Sequence, residues 1–337
     1  MGLLIKGQWS TDWYDTASNQ GQFKRSESAF RHWVTHDGSA GPSGKSGFKA
    51  EAGRYHLYVS LACPWAHRTL IYRSVKGLEK IISVSVVNAH MGEQGWRFNM
   101  TDDGQGIDDL WLNSFHQFDE HAASIDSVNG KQYLHQVYTQ SMPDFTGRVT
   151  VPVLWDKKTR QIVSNESAEI IRMFNCAFDE VGALEGDFCP DEMVKQIDEM
   201  NDIIYPSINN GVYRAGFATT QAAYQEAVTE LFAALDRLEQ RLVTQDYLLG
   251  NDVTEADWRL LTTLIRFDAV YVGHFKCNIR RIADYPHLHD YLKRLYRFAK
   301  VSDTVNMAHI KAHYYGSHKM INPTGIIPVG PQLAFLT

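Results

Sequence analysis

Cysteine is scarce in this chain. Four occur in 337 residues, Cys63, Cys176, Cys189 and Cys277, and no two stand in a C-x-x-C pair. That spacing argues against a disulfide scaffold and for a reduced, cytosolic protein. A dominant charge is also missing: 33 Lys and Arg face 39 Asp and Glu, for a net charge of −6. With no basic stripe, nucleic acid is disfavoured as a partner. Long apolar runs are absent too. The opening MGLLIKGQWS turns polar at Lys6, which fits neither a secretory signal nor a membrane span. Lys6 also stands where a myristoylation pattern needs Ser or Thr. Two sequons, Asn99-Met100-Thr101 and Asn165-Glu166-Ser167, are read as coincidental without a signal peptide. There is no internal repeat and no low-complexity tract.

What is present suits a folded protein. Hydrophobic residues make up 44% and charged residues 21%, enough for a sizeable core in two domains plus extensions. Residues 1–53 are polar and Gly-rich and end in DGSAGPSGKSGFKAEAG, a flexible linker by composition. RYHLYVSL alternates as a strand, Pro64 opens a helix that Gly77 stops, and KIISVSVVN at 80–88 is a β-branched strand. This is a β-α-β unit with parallel strands. Residues 89–148 read as an insertion of loops and short helices. RVTVPVLWD and RQIVSNES then give two more strands, followed by a helix from SNESAEIIRMF. The order is that of a thioredoxin-like α/β domain, spanning 54–180.

From about 185 the period changes. Tyr224, Val228, Leu231, Leu235, Leu238 and Leu242 form a helical stripe, Thr254 and Asp257 a capping box, and residues 286–301 an amphipathic helix. An all-helical domain over 185–310 and a Pro- and Gly-rich tail over 311–337 complete the chain.

The chemistry centres on Cys63 in SLACPWAHRTL. A thiol between a strand and a helix start lies where helix dipole and free amides favour a thiolate, and so a nucleophile. The alternative is a buried structural cysteine. His67 and Arg68 follow closely enough to add positive character. Ala66 occupies the place where redox motifs put a second cysteine, so an external thiol must resolve any adduct. Glutathione is the expected co-substrate. Val151-Pro152 sits where a cis-proline edge pairs with a peptide-like backbone. Glu166-Ser167 opens a helix whose N–H groups suit a carboxylate, unless Asn165 or Ser164 merely caps it.

The runs CPWAHR, VPVLWD, NES, YLLG with TEAD, and HYYGSH with INPTGIIPVGP together resemble the glutathionyl-hydroquinone reductases, the Xi class of glutathione transferases. The resemblance spans nearly the whole chain. It implies a glutathione-transferase architecture, a dimer, and reduction of glutathionyl-hydroquinones through a Cys63–glutathione mixed disulfide. By position it implies that Cys63 is the nucleophile and that Trp96 and Arg97 close over glutathione, Arg97 by a forked salt bridge to the glycyl carboxylate. Val151 would pair with the cysteinyl part, and Glu166 with Ser167 would hold the γ-glutamyl end. Acceptor-site tyrosines match Tyr205 and one of Tyr314 and Tyr315, with Tyr247 as a further candidate.

Rival readings are fewer. His309 and His313 stand at i, i+4 with His318 nearby, but no carboxylate or cysteine at ligand spacing completes a zinc site. DDGQGIDD at 102–109 lacks the alternation of a calcium loop. An Omega-type monothiol transferase or dehydroascorbate reductase shares the Cys-Pro start, so Cys63 does not discriminate. A non-catalytic scaffold on the transferase fold is the third reading, and Cys63, Arg97, Glu166 and Ser167 together count against it.

Overall fold

The computed structural model describes residues 2–99, 123–333 and 335. The acidic run at 102–109, rejected above as a calcium loop, lies outside them. The chain forms two compact units that interleave along the sequence. The first comprises 1–13, 26–187 and 303–317, the second 14–25, 188–302 and 318–337.

The first unit is built on a four-stranded sheet. Its strands are β3 (Tyr55–Val59), β4 (Ser83–Val86), β6 (Val153–Asp156) and β7 (Gln161–Ser164), in the order β4-β3-β6-β7. The first pair is parallel and the others antiparallel. Every residue of β3 is buried, so it runs through the middle of the core rather than alternating between faces. A smaller antiparallel sheet joins β1 (Leu3–Ile5), β2 (Gln8–Ser10) and β5 (Gly147–Arg148). Among the described residues the unit also carries the helices α1 (Pro64–Val75), α2 (Leu134–Ser141), α3 (Ser167–Cys176) and, from the far end of the chain, α9 (Met307–Ser317). Pro64 occupies the first turn of α1, where its missing N–H costs nothing, and Gly77 ends it at φ +63°.

The run expected to be a flexible linker is packed instead. Phe48 and Ala50 are buried, and the Thr35 and Ala50 amides pair across with the Phe48 and Thr35 carbonyls. The Arg54 guanidinium reaches the Gly47 carbonyl, and Tyr55 donates to that of Lys49. Composition misleads here because two buried side chains and a neighbouring arginine suffice to order a glycine-rich segment.

Arg54 also forms a two-pronged ion pair with Asp156, at 2.9 and 2.6 Å. Burial opposes ionisation of Asp156, but hydrogen bonds from Arg54 and Thr159 outweigh it and hold the carboxyl below the usual range. Because the folded-state value is depressed, this contribution to stability is complete above the ordinary carboxylate range and lost as pH falls through the folded value. Asp156→Asn is therefore expected to lower Tm at pH 7 and flatten the slope of Tm against pH below about 4. Thermal unfolding followed by circular dichroism across that range tests it.

The second unit carries α4 (Val194–Ile204), α5 (Gly211–Gly216), α6 (Gln221–Arg241), α7 (Glu255–Arg266) and α8 (Pro286–Tyr296). π-helical turns follow α4 and α7, at Tyr205–Asn209 and Phe267–Tyr271. The apolar stripe of α6 faces inward, and Trp258 is wedged edge-on between Phe188 and Phe298. Asp257 makes the expected capping box with Thr254 and does more. Fully buried, it also accepts from the Leu248 amide at 2.9 Å and the Tyr291 hydroxyl at 2.8 Å. Burial raises its pKa despite these donors. Asp257→Ala would strand several buried donors, each worth about 1–3 kcal/mol. A loss of about 3 kcal/mol is expected, read as a lower urea midpoint at unchanged m-value.

Candidate active site

Cys63 is the N-cap residue of α1, with extended backbone at φ −76° and ψ 121°. Its amide donates to the Ser60 carbonyl and its carbonyl accepts from His67, so strand exit and helix entry are tied at this residue. The thiol is half-buried and donates to the Val151 carbonyl at 3.5 Å. The Val151-Pro152 bond is cis. Register brings the two sites together. Tyr58 pairs with Val153, so the end of β3 and the residues before β6 are neighbours. His67 and Arg68 are buried; His67 meets the Thr304 hydroxyl at 2.8 Å and Arg68 lies over the Trp65 ring.

Glu166 and Ser167 open α3 as expected, but the cap is Glu166 itself rather than Asn165 or Ser164. Its carboxylate accepts from the Ala168 amide at 3.0 Å, and Ser164 Oγ receives the Glu166 amide. The other Glu166 oxygen accepts from the Ser28 hydroxyl at 2.9 Å. Ser28 went unremarked because it is 138 residues away, in a segment read only by composition. Asn165 is buried and committed elsewhere: its side-chain oxygen accepts from the Phe30 amide and its nitrogen donates to Tyr138 and Thr150.

Trp96 and Arg97 follow a tight turn at Gly92–Gly95. Arg97 is exposed, and among the described residues its guanidinium has no acidic partner. Trp96 is 4% exposed, yet among the described residues its indole Nε1–H has no hydrogen-bond partner. A buried donor left unpaired is costly, and a peptide-like ligand offering a carbonyl or carboxylate beside it would relieve that cost.

The tyrosines are divided. Tyr314 and Tyr315 are buried on α9 in the first unit, and burial does not choose between them. Tyr205 lies in the second unit, 40% exposed on the first π-helical turn. Tyr247 belongs to a packing turn: its backbone pairs with Gly250 and the next amide caps on Asp257. Two of the three histidines of the zinc alternative are occupied otherwise. His313 is bonded to the Ala89 carbonyl and His318 to His274, and among the described residues no group of three or more ligating side chains is arranged for a metal ion.

A thioredoxin-like unit with one N-cap thiol, followed by a helical unit, is the architecture of a glutathione transferase. Two family models agree: the glutathione S-transferase N-terminal domain matches residues 62–176 and the C-terminal domain residues 221–294. Glutathionyl-hydroquinone reductase YqjG of Escherichia coli K12 is 56% identical over 331 residues, 98% of this chain and 95% of the relative. Glutathionyl-hydroquinone reductase PcpF of Sphingobium chlorophenolicum is 53% identical, covering 98% and 96%. The glutathione-bound structure of YqjG superposes with a TM-score of 0.86 at 51% identity, covering all of this chain and 97% of that one. The chain belongs to the glutathionyl-hydroquinone reductases, the Xi class of glutathione transferases.

The four cysteines differ in accessibility. Cys176 is exposed, Cys63 and Cys189 are half-buried, and Cys277 is buried with its thiol pushed far up by burial. Exposure alone would put Cys176 first in alkylation. A thiol at a helix N-terminus reacts ahead of its exposure, so at pH 6.5 iodoacetamide is expected to label Cys63 first and Cys277 last. Peptide mass spectrometry on a time course reads the order.

Proposed function

We propose that this protein reduces glutathionyl-hydroquinones to hydroquinones with glutathione as co-substrate, and that Cys63 is its nucleophile. The observation that carries the reading is the single thiol at the N-cap of α1, facing the Val151 carbonyl, with no second cysteine within the helix. A lone thiol can accept a glutathionyl group but cannot resolve the adduct itself.

The reaction then has two balanced steps. The substrate ring tautomerises to its keto form, placing a proton on the carbon that bears sulfur. The Cys63 thiolate attacks that sulfur; the Sγ–S bond forms, the carbon–sulfur bond breaks, and the electron pair leaves with the ring, which takes a proton at oxygen and becomes the hydroquinone. A second glutathione, as thiolate, attacks the mixed disulfide, releasing oxidised glutathione and restoring the Cys63 thiolate. The two electrons gained by the ring come from two glutathione sulfurs.

The other roles follow the same reading. Trp96 donates its indole N–H to glutathione, and Arg97, an exposed cation without an acidic partner among the described residues, takes the glycyl carboxylate. Val151 offers its backbone to the cysteinyl part, and Ser167 with Glu166 receives the γ-glutamyl end at the start of α3. The family resemblance assigns proton donation or carbonyl polarisation to Tyr205 and to Tyr314 or Tyr315. It also assigns a homodimer, while the wide spacing of the four cysteines points to a reduced, cytosolic place of action. No helix among the described residues is long and apolar enough to cross a membrane.

Turnover of glutathionyl-menadiol with excess glutathione tests the mechanism. Wild type is expected to release menadiol and Cys63→Ala to release none, and intact mass after substrate alone should show one glutathionyl group on Cys63. Turnover surviving in Cys63→Ala would point instead to glutathione activated by a tyrosine. An inactive wild type that reduces dehydroascorbate would mark an Omega-type enzyme.

A further inference from the structure

The run HYYGSH, residues 313–318, is part of the family resemblance, yet only its tyrosines have a role in the chemistry above. His313, Gly316 and Ser317 fall at i, i+3 and i+4 on α9 and share one face. All three meet the same object, the turn that leads into Trp96. The His313 ring stacks on the Trp96 indole, with centroids 4.9 Å apart and planes 23° from parallel. Its Nδ1–H donates to the Ala89 carbonyl at 2.8 Å, which fixes both ring tilt and tautomer. Ser317 Oγ accepts the Met91 amide at 3.0 Å and reaches the Ala89 carbonyl at 3.4 Å. At Gly316 an added Cβ would meet the His90 ring at 2.7 Å, so only glycine permits the approach without displacing that ring. The far side of the turn is braced as well: Trp9 of β2 donates to the Glu93 carbonyl at 2.9 Å.

We propose that His313 is a positioning residue, which with Gly316 and Ser317 clamps the 89–95 turn and sets the Trp96 indole in the orientation that grips glutathione. The inference rests on the reading of Trp96 as a glutathione donor. It assigns to the helix at the far end of the chain the geometry of a contact made 217 residues earlier (His313 to Trp96). The clamp works because the unpaired Trp96 N–H lies on a ring whose face is covered by His313 and cannot tilt freely. Positioning of this kind acts on the bound glutathionyl group and not on the sulfur chemistry.

The test is a two-by-two set of variants, His313→Ala, Trp96→Phe and the double variant, assayed with glutathione and glutathionyl-menadiol. His313→Ala is expected to raise KM for glutathionyl-menadiol roughly tenfold while kcat stays within about twofold. His313→Asn, which keeps a donor near Nδ1, should recover part of that loss. In a Trp96→Phe background, His313→Ala should change KM by less than about twofold, since the group it positions is gone. If Trp96→Phe leaves KM unchanged, the reading of Trp96 as a glutathione donor falls. If Trp96→Phe raises KM but His313→Ala does not, or if the two effects multiply, the clamp is overturned while that reading stands. If His313→Ala does not fold, His313→Asn and Ser317→Ala, each combined with Trp96→Phe, are judged by the same criterion.

Discussion

The junction between β3 and α1 is the constraint on which the first unit's chemistry depends. A fully buried strand must end, and a helix must begin, within four residues of Val59. Cys63 falls at the point where the extended backbone turns helical. Antiparallel pairing of β3 with β6 then delivers Val151 to the thiol from 88 residues away. A one-residue slip of either strand would turn every side chain to the opposite face of a core packed on both sides, so the separation of sulfur and carbonyl is as secure as the core itself.

Around that junction the unit recruits distant segments. Ser28 reaches Glu166, Phe30 pairs with Asn165, and Arg31 meets Glu169, so the N-terminal extension lies along the start of α3. From the other end of the chain, Thr304, ahead of α9, meets His67, and α9 holds the 89–95 turn through His313 and Ser317. A site with only one thiol has to bind its second thiol accurately from solution. That requirement explains why so much of the unit braces the loops that would grip a tripeptide rather than the sulfur.

The second unit obeys a different logic. Its buried carboxylate Asp257 gathers donors from a preceding turn, its own cap and α8, tying three pieces of backbone to one group. Desolvating a carboxylate is expensive, and the cost is offset only because every approach to it carries a donor. The His274–His318 pair, at 3.1 Å beside Phe217 and Phe275, is the aromatic counterpart, with burial pushing His274 down to about 4.

Much of this was readable from residue order. Period-two and period-3.6 patterns marked the strands and helices, Pro64 and Gly77 bounded α1, and Thr254 with Asp257 marked a helix start, because these signals are local. The free state of the cysteines matches their wide spacing along the chain, and the proposal of Cys63 as nucleophile with an external resolving thiol rests on one Cys-Pro and one alanine. Other features depended on contacts that no local pattern encodes. The glycine-rich run at 37–53 packs because Phe48 and Arg54 find partners, Glu166 caps its own helix while holding Ser28, and the HYYGSH histidine lies flat on Trp96. Sequence alone determined which side chains can do the chemistry; only the tertiary structure decided which of them meet, because hydrogen bonding and stacking act over a few ångströms of space and are indifferent to separation along the chain.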